Sequence, residues 1–419
     1  MTERAGAPPD HPPDHPPATE EVELVGHIVD SLTLAKVLDL IVDAGADYRM
    51  EEFDVGRTST DQSRARLVLQ ADDPATLARL MEQLQVHGVN RVASEPAVLV
   101  ACDHDGVLPA GFYSTTNLPT RVLVGDRWSE VVNAEMDCAL VADADGTFRA
   151  VPMHRVVVGD HVVVGLGGVR VDAPRRPRGA TPFEFMSSDA SSEKPKALLV
   201  ADVARRIRLA KASGARVLAV CGPAVVHTGA APDVARLVHA GWIDVLFAGN
   251  GFATHDIESN VLGTSLGVSI DEGRPTEHGH ANHLRVINEI RRSGSIAAAV
   301  ADGTVRSGVM YECVRHGVPV VLGGSVRDDG PLPDVITDVV EAADAMRRHV
   351  QGVGVALMLA STLHAIATGN LLPAGVETYC VDINQAVVTK LADRGSHQAL
   401  GIVTDVGLFL GQLAGQLGA

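Results

Sequence analysis

Apolar runs alternate with helical stripes along the C-terminal half of the chain. Short runs rich in Val, Ile and Leu recur at residues 216–220, 243–248, 318–322, 378–381 and 402–403. Between them, apolar residues return at helical spacing, as in 234–240 and 342–350. This alternation predicts a doubly wound, Rossmann-like parallel sheet of the α/β class. The pattern also predicts a strand at 296–300 and leaves an apolar run at 355–359 unassigned.

The rest of the chain divides into three parts. Residues 1–19 carry paired prolines and a repeated DHPP, so we expect a disordered tail. Residues 20–101 show strand and helix patterns in the order βαββαβ, which predicts a ferredoxin-like domain. Residues 102–180 carry short strand patterns separated by Gly and Asp, which predict a small β-rich middle domain and a linker. Residues 181–419 then form the Rossmann-like domain.

Small and polar residues follow the predicted strands of the C-terminal domain. The carboxyl ends of parallel strands share one edge, and ligands of open α/β sheets bind there. The residues predicted to line a nucleotide site are Gly222, Pro223, Asn250, Gly251, Gly323, Gly324, Ser325, Asp382, Asn384, Gln385, Thr404 and Asp405. Glycine lets a backbone approach a phosphate closely, and an acidic side chain can accept from ribose hydroxyls. No GxGxxG motif is present, so the ordinary dinucleotide fingerprint does not apply.

Charged side chains stand directly beyond the strand predicted at 318–322. Arg327, Asp328 and Asp329 follow Gly323-Gly324-Ser325, where carboxylates suit a cationic amine or proton transfer. A polar turn between a strand and a helix explains the same residues.

Two other charged segments have a functional and an ordinary interpretation. Glu135 and Asp137 are predicted on one strand face, where they can grip an ammonium group, although an exposed acidic hairpin has the same pattern. The serine-rich segment around Lys194 suits a phosphate or carboxylate, and a linker has the same composition.

The histidines do not give a convincing metal site. His278, His280 and His283 have a spacing that suits zinc, but they follow a Gly/Pro-rich segment without a regular scaffold, so we predict no metal. His227 and His255, the latter next to Asp256, follow predicted strand ends and are better catalytic candidates. A structural histidine explains each of them equally well.

Composition narrows the class of partner. The net charge of -17 repels polyanions and only 3% of residues are aromatic, so nucleic acid is a poor partner and a cationic metabolite a good one. Five scattered cysteines without CxxC spacing indicate buried thiols in a reducing compartment. Neither a signal peptide nor a membrane span is visible, so we expect a cytoplasmic protein.

Seven long motifs resemble one family. They are GFYSTTNLPT (111–120), EMDCALV (135–141), FEFMSSDASSEKPK (183–196), GPAVVHTGA (222–230), GTSLG (263–267), GGSVRDDGPLPDVITD (323–338) and VDINQAVVTKLADRG (381–395). Together they resemble the alternative ornithine cyclodeaminases of archaea and bacteria. These are also the C-terminal part of the bifunctional arginine dihydrolase/ornithine cyclodeaminase, and carry an older link to the lysine-oxoglutarate reductase/saccharopine dehydrogenase conserved region. No guanidine-hydrolase domain precedes residue 20, so arginine hydrolysis is not implied.

The resemblance implies an NAD-dependent ammonia-lyase. L-Ornithine would become L-proline and ammonia through transient hydride transfer to NAD, cyclisation, loss of ammonia and hydride return. Asp329, Asp256 and Glu135 are then predicted to contact the amine or move a proton, and Lys194 and Arg327 to bind the carboxylate. The sheet also looks similar to the deoxyhypusine synthase type of NAD fold, which would explain the missing fingerprint.

Two other functions stay open at this point. One is a net NAD(P)-dependent amino-acid oxidoreductase, and the other is a non-catalytic amino-acid or nucleotide sensor. The sequence does not separate ornithine from lysine or diaminobutyrate, while Asp382 favours NAD over NADP. We expect a homo-oligomer, because ferredoxin-like units often pair.

Overall fold

The computed structural model describes residues 18–29, 32–58, 61–173, 196–265, 268–269, 281–328, 330–393 and 399–419. The chain forms two compact units, residues 1–186 and 187–419. The predicted boundaries of the tail, the ferredoxin-like domain and the middle domain remain predictions.

The first sheet has the ferredoxin-like arrangement that the sequence predicts. Its elements are β1 (Ala18–Gly26), α1 (Thr33–Asp43), β2 (Asp47–Asp54), β3 (Ser63–Ala71), α2 (Pro74–Gln85) and β4 (Val89–Arg91). The strand order is β2-β3-β1-β4, and each neighbouring pair is antiparallel. Helix α2 begins as its sequence indicates, because Asp73 accepts hydrogen bonds from Ala75 N and Thr76 N, and Pro74 occupies the first turn.

The second sheet is the predicted β-rich part. It contains β5 (Val98–Ala101), β6 (Thr120–Val124), β7 (Arg127–Val132), β8 (Ala139–Ala142), β9 (Phe148–Val151), β10 (His161–Val164) and β11 (Val169–Val171), with a 3₁₀ turn at Met153–Arg155. The order is β11-β6-β7-β9-β8-β10-β5. Strand β5, which ends at Ala101, pairs with β10. The domain boundary predicted after residue 101 therefore follows a strand that belongs to the second sheet.

The second unit confirms the doubly wound Rossmann-like sheet. Its strands are β12 (Arg216–Cys221), β13 (Val245–Gly249), β16 (Val320–Gly323), β17 (Val353–Leu359), β18 (Glu377–Asp382) and β19 (Ala399–Val403), with the short pair β14 (Thr264–Ser265) and β15 (Val268–Ser269) outside the sheet. All pairs in the six-stranded sheet are parallel, in the order β16-β13-β12-β17-β18-β19. Numbered within this domain the order is 3-2-1-4-5-6, and the chain reverses direction between β12 and β17.

Helices cover both faces of this sheet. They are α3 (Lys196–Ala212), α4 (Ala224–His227), α5 (Ala231–His239), α6 (Asn250–Leu262), α7 (Asn282–Ser293), α8 (Ile296–Ala301), α9 (Val309–His316), α10 (Val339–Val350), α11 (Leu363–Leu371), α12 (Gln385–Asp393) and α13 (Val406–Leu417). Alternate residues of β12 enter separate cores: Val217 and Ala219 pack with α3, α5 and α13, while Leu218 and Val220 pack with α10 and α11. Burial on both faces explains the continuous aliphatic strands.

The strand predicted at 296–300 is wrong, because this segment is helix α8. Ser295 caps the helix by accepting from Ala298 N at 3.0 Å, and Asp334 accepts from Ile296 N at 2.8 Å. Three consecutive alanines also favour a helix over a strand.

Gly222 lies where the two halves of the sheet meet. Its N–H donates to the carbonyl of Leu359 at 2.9 Å, which joins the end of β12 to the end of β17. A Cβ at this position would lie 1.8 Å from the carbonyl oxygen of Ala360. Ala360 itself has φ +47°, a left-handed conformation that a residue with a side chain rarely adopts. Glycine is therefore required for the two backbones to cross this closely.

We expect Gly222→Ala to destabilise the protein by roughly 3–5 kcal/mol, because either the backbone of β12 or that of β17 must move. The free energy of unfolding in urea, or the melting temperature, measures this. Gly375→Ala is the matched control, since a Cβ at Gly375 meets nothing within 4 Å and should change stability by less than about 0.5 kcal/mol. Equal stability of the two variants would contradict the proposed crossing.

Candidate active site

The structure places the predicted nucleotide-binding residues of the second unit at the carboxyl edge of its sheet. Gly222 and Pro223 follow β12, and Asn250 and Gly251 begin α6 directly after β13. A Cβ on Gly251 would touch Pro223 Cγ at 3.4 Å, so these two loops are in contact. The strand order reverses direction between β12 and β17, and sheets of this order bind nucleotides at that point of their carboxyl edge.

Asn250 positions a neighbouring loop. Its side chain is buried, and its Oδ1 accepts from Leu332 N at 3.0 Å and from the hydroxyl of Thr254 at 3.3 Å. These bonds tie the segment after β16 to helix α6. Asn250 therefore acts on the loop rather than presenting a free carbonyl to a ligand.

The loop after β16 is closed by its own polar groups. Ser325 N donates to Asp328 Oδ2 at 2.8 Å, and Arg327 N donates to the hydroxyl of Ser325 at 3.1 Å. Arg327 is exposed. Gly324 N donates to the carbonyl of Ile336 at 2.9 Å, which holds the start of the loop against the segment before α10.

His364 is a residue of this edge that the sequence did not single out. It lies in α11, and its ring covers two strand ends: a Cβ on Gly249 would meet its Cε1 at 3.0 Å, and a Cβ on Gly323 its Nε2 at 3.1 Å. Burial lowers the pKa of His364, while Asp328 raises it. The glycines that end β13 and β16 thus make room for an imidazole as well as for a ligand.

Beyond β18 and β19, polar side chains mainly close turns. Asp382 Oδ1 accepts from Asn384 N at 2.8 Å, and Asn384 Oδ1 accepts from Ala386 N at 3.0 Å at the start of α12, whose first residue is Gln385. Asp405 caps α13 by accepting from Leu408 N at 2.9 Å. The hydroxyl of Thr404, in contrast, is buried without a hydrogen-bond partner among the described residues.

Two histidines meet above β12 and β13. His227 ends α4 and His255 lies in α6, with ring centroids 4.9 Å apart in an edge-to-face arrangement. His227 Nδ1 lies 2.8 Å from the hydroxyl of Ser265. Burial and the neighbouring His255 lower the pKa of His227, while Glu258 raises it. His227 is therefore a neutral imidazole at pH 7.

A buried carboxylate orients His255. Glu258 is one helical turn away and 0% exposed, and its Oε2 lies 2.8 Å from His255 Nδ1. Its other oxygen accepts from the hydroxyl of Thr264 at 2.8 Å, which in turn accepts from Asn282 Nδ2 at 2.9 Å. This arrangement places a proton on His255 Nδ1 and orients the ring.

Asp256, the next residue of α6, points into the protein. It is 0% exposed, and its two oxygens accept from Val309 N at 3.0 Å and from Met310 N at 2.8 Å, the first N–H groups of α9. Burial raises the pKa of Asp256 to about 6, although these two hydrogen bonds lower it. The geometry favours a helix cap over the amine contact that the sequence suggested.

The chain matches known protein families along most of its length. The family model "Arginine dihydrolase ArgZ-like, C-terminal, Rossmann fold" matches residues 201–413, the corresponding first-region model matches 119–200, and the LOR/SDH bifunctional enzyme conserved region matches 19–118. Ornithine cyclodeaminase of Methanothermobacter thermautotrophicus is 51% identical over 394 residues, 94% of this chain and 96% of that protein. The chain belongs to the ornithine cyclodeaminase family.

Other members of the ornithine cyclodeaminase family extend the comparison. The bifunctional arginine dihydrolase/ornithine cyclodeaminase AgrE of Nostoc is 41% identical over 94% of this chain and 58% of its own length. The crystal structure of AgrE in ternary complex with ornithine and NAD+ covers 96% of this chain and 58% of that chain, with a TM-score of 0.52 and 39% identity. A LOR/SDH protein of Methanococcus maripaludis gives a TM-score of 0.73 at 46% identity over 77% of this chain and 98% of that chain.

Several residues predicted for the site of this ornithine cyclodeaminase family member do not have the local structure that the sequence predicts. Glu135 and Asp137 do not share a strand face: they lie in a turn, where Glu135 is buried and Asp137 is exposed with φ +60°. Thr115 fixes that turn, because its hydroxyl donates to the carbonyl of Glu135 and accepts from Cys138 N. His283 lies in α7.

Four predicted residues lie outside the described part of the chain. They are Lys194, His278, His280 and Asp329. Among the described residues, no helix combines the length and apolar character needed to cross a bilayer.

The raised pKa of Asp256 has a consequence for stability. The folded state holds the proton more tightly than the unfolded chain, so the contribution of Asp256 falls as pH rises from its ordinary 3.8 to about 6. We expect Asp256→Asn to remove this fall, which amounts to roughly 3 kcal/mol. The measurement is the difference in unfolding free energy between wild type and variant, from pH 4 to pH 7.

Asp302→Asn serves as the matched control, because hydrogen bonds from Thr304 lower the pKa of Asp302. That variant should keep the fall between pH 4 and 6. A wild type that gains stability relative to Asp256→Asn as pH rises would show that α9 stabilises the ionised carboxylate instead.

Proposed function

We propose that this protein is an NAD-dependent ornithine cyclodeaminase, which converts L-ornithine to L-proline and ammonia. The observation that carries the proposal is the full-length match to ornithine cyclodeaminases, 51% identical over 94% of the chain. The reaction needs a nucleotide site, a neutral base and a site for the substrate carboxylate. The carboxyl edge of the second unit offers residues suited to the first two.

The carboxyl edge of the sheet between β12 and β17, where the strand order reverses direction, suits NAD. Gly222 brings the backbones after β12 and β17 together, so a ligand can lie across both without meeting a side chain at the crossing. Ser361, directly after the left-handed Ala360, and the unpartnered hydroxyl of Thr404 are polar groups suited to a ribose or a phosphate. Asp382 suits ribose hydroxyls and would repel a 2′-phosphate, which favours NAD over NADP. When bound, NAD supplies an electron-pair acceptor that is regenerated within the same turnover.

The paired histidines suit the proton transfers. Both amino groups of ornithine are protonated at neutral pH, so a base must take a proton before an amine can attack. His227 is neutral at pH 7, and Glu258 orients the ring of His255 beside it. We assign to this pair the removal of a proton from the attacking amine and its delivery to the departing ammonia.

Charged residues outside this pair keep their predicted roles as proposals. Arg327 and Lys194 are assigned to the substrate carboxylate, and Asp329 to contact with an amine or to proton transfer. An arginine or a lysine supplies the positive charge that a carboxylate needs, and a carboxylate binds an ammonium group.

We expect purified protein with substoichiometric NAD to convert L-ornithine to proline and ammonia in a 1:1 ratio, with no accumulation of NADH. Proline by chromatography and ammonia by an enzymatic assay measure this, with lysine and diaminobutyrate as competing substrates. Accumulation of NADH would indicate a net amino-acid oxidoreductase. Binding of ornithine and NAD without ammonia release would indicate a sensor.

We expect Glu258→Gln and His227→Asn each to lower kcat by about 10²–10³-fold with little change in NAD affinity, because each alters the proton-transfer pair. Steady-state kinetics and NAD titration measure the two effects. Glu289→Gln, an exposed carboxylate on α7, is the matched control and should keep full activity. Unchanged kcat in both site variants would remove the histidine pair from the mechanism.

A further inference from the structure

Three potential metal ligands lie close together on helices α5 and α9 of the second unit. His239 is the last residue of α5, Glu312 lies in the first turn of α9, and His316 is the last residue of α9. We propose that His239, Glu312 and His316 form a binding site for a divalent transition metal, with zinc as the preferred ion. The amino-acid pattern does not indicate this site, because the three residues are close only after α5 packs against α9.

The distances match a tetrahedral site. Glu312 Oε2 lies 3.1 Å from His239 Nδ1 and 3.1 Å from His316 Nε2, and the two nitrogens are 3.3 Å apart. A tetrahedral zinc ion with bonds of about 2.0–2.1 Å places its ligand atoms roughly 3.3 Å apart. Two histidines and one glutamate are a ligand set that zinc takes with one position left open.

A metal ion can replace the protons of this triangle. Each ring nitrogen carries either one N–H or one lone pair in the ring plane. With an N–H on both nitrogens, Glu312 Oε2 accepts from each of them at 3.1 Å. With both nitrogens unprotonated, two lone pairs and a carboxylate oxygen converge, and a cation between the three atoms makes every contact attractive.

The surroundings also favour a cation. His239 and His316 are each the final helical residue, so the partial negative ends of two helix dipoles meet at this place. Arg236, one turn before His239, donates to Asp233 and to the carbonyl of Ala419, which directs its guanidinium elsewhere. The helices themselves are fixed by buried apolar residues such as Leu237 and Cys313. The ligands therefore stand on a rigid scaffold.

The open position faces solvent, because the side chain of His239 is 69% exposed. The site is also distinct from the histidine pair. Asp256 holds the first N–H groups of α9, whereas Glu312 and His316 lie further along that helix, roughly 5 Å and 10 Å from its first residue along the axis. We assign the metal a structural role, in which it links the ends of α5 and α9.

The test uses the full-length, tag-free chain after chelator treatment. Isothermal titration with ZnCl2 should show one site with a dissociation constant in the micromolar range or below, and Co2+ should give the visible absorption of a tetrahedral complex. His239→Asn and Glu312→Gln should each weaken zinc binding by more than the roughly 10–100-fold that outer-shell changes cause. His239→Asn should keep normal ornithine turnover, because its side chain is remote from the candidate active site.

Controls separate this site from other histidines. The double variant His278→Asn/His280→Asn and the single variant His161→Asn, an exposed residue of β10, should bind zinc as wild type does. Zinc should also raise the melting temperature of wild type and of these controls, but not that of His239→Asn. Absence of zinc binding below about 0.1 mM, unchanged binding by His239→Asn and Glu312→Gln, or loss of binding in a control would each overturn the proposal.

Discussion

The close crossing of the backbones at Gly222 and Ala360 determines the arrangement of the second unit. β12 and β17 are neighbours in the sheet, and the strand order runs outward from them in opposite directions. The crossing requires a residue without Cβ on one side and a left-handed backbone on the other. Two apolar cores on opposite faces of the sheet hold both strands in place. The strained geometry persists because the surrounding packing over-determines it.

His255 and Asp256 are neighbours in α6, but their side chains point into different surroundings. His255 turns towards Glu258, whose carboxylate is held by Thr264, so its ring is oriented. Asp256 turns into the core and joins α6 to the start of α9. A single helix therefore carries a residue that we propose for proton transfer and the carboxylate that anchors the start of α9. Hydrogen bonds such as those from His255 to Glu258 and from Thr264 to Glu258 hold reactive side chains in a productive orientation.

The sequence predicted the sheet and the family because these depend on local pattern and on long motifs. Continuous aliphatic runs mark strands buried on both faces, and the small residues after them lie at one edge, as expected. The strand prediction for 296–300 is wrong because it depends on an apolar run bounded by Ile296 and Val300, whereas the alanines between them and the hydrogen bonds to Ser295 and Asp334 favour a helix. The residues Ser265, Thr264 and His364 were missed because their partners come from other elements. GPAVVHTGA and GTSLG did mark both sides of the His227–Ser265 contact, but not the contact itself.

The position of β17 bears on how the chain reaches its native state. β12 cannot complete its central pairing until β13, α6 to α9, β16 and α10 have all been synthesised and β17 has followed them. Closing a loop of this length costs conformational entropy before the contact forms, although that cost grows only slowly with loop length. Nascent chains that end before β17 leave one edge of the strongly aliphatic β12 unpaired. Such intermediates are the ones that chaperones bind.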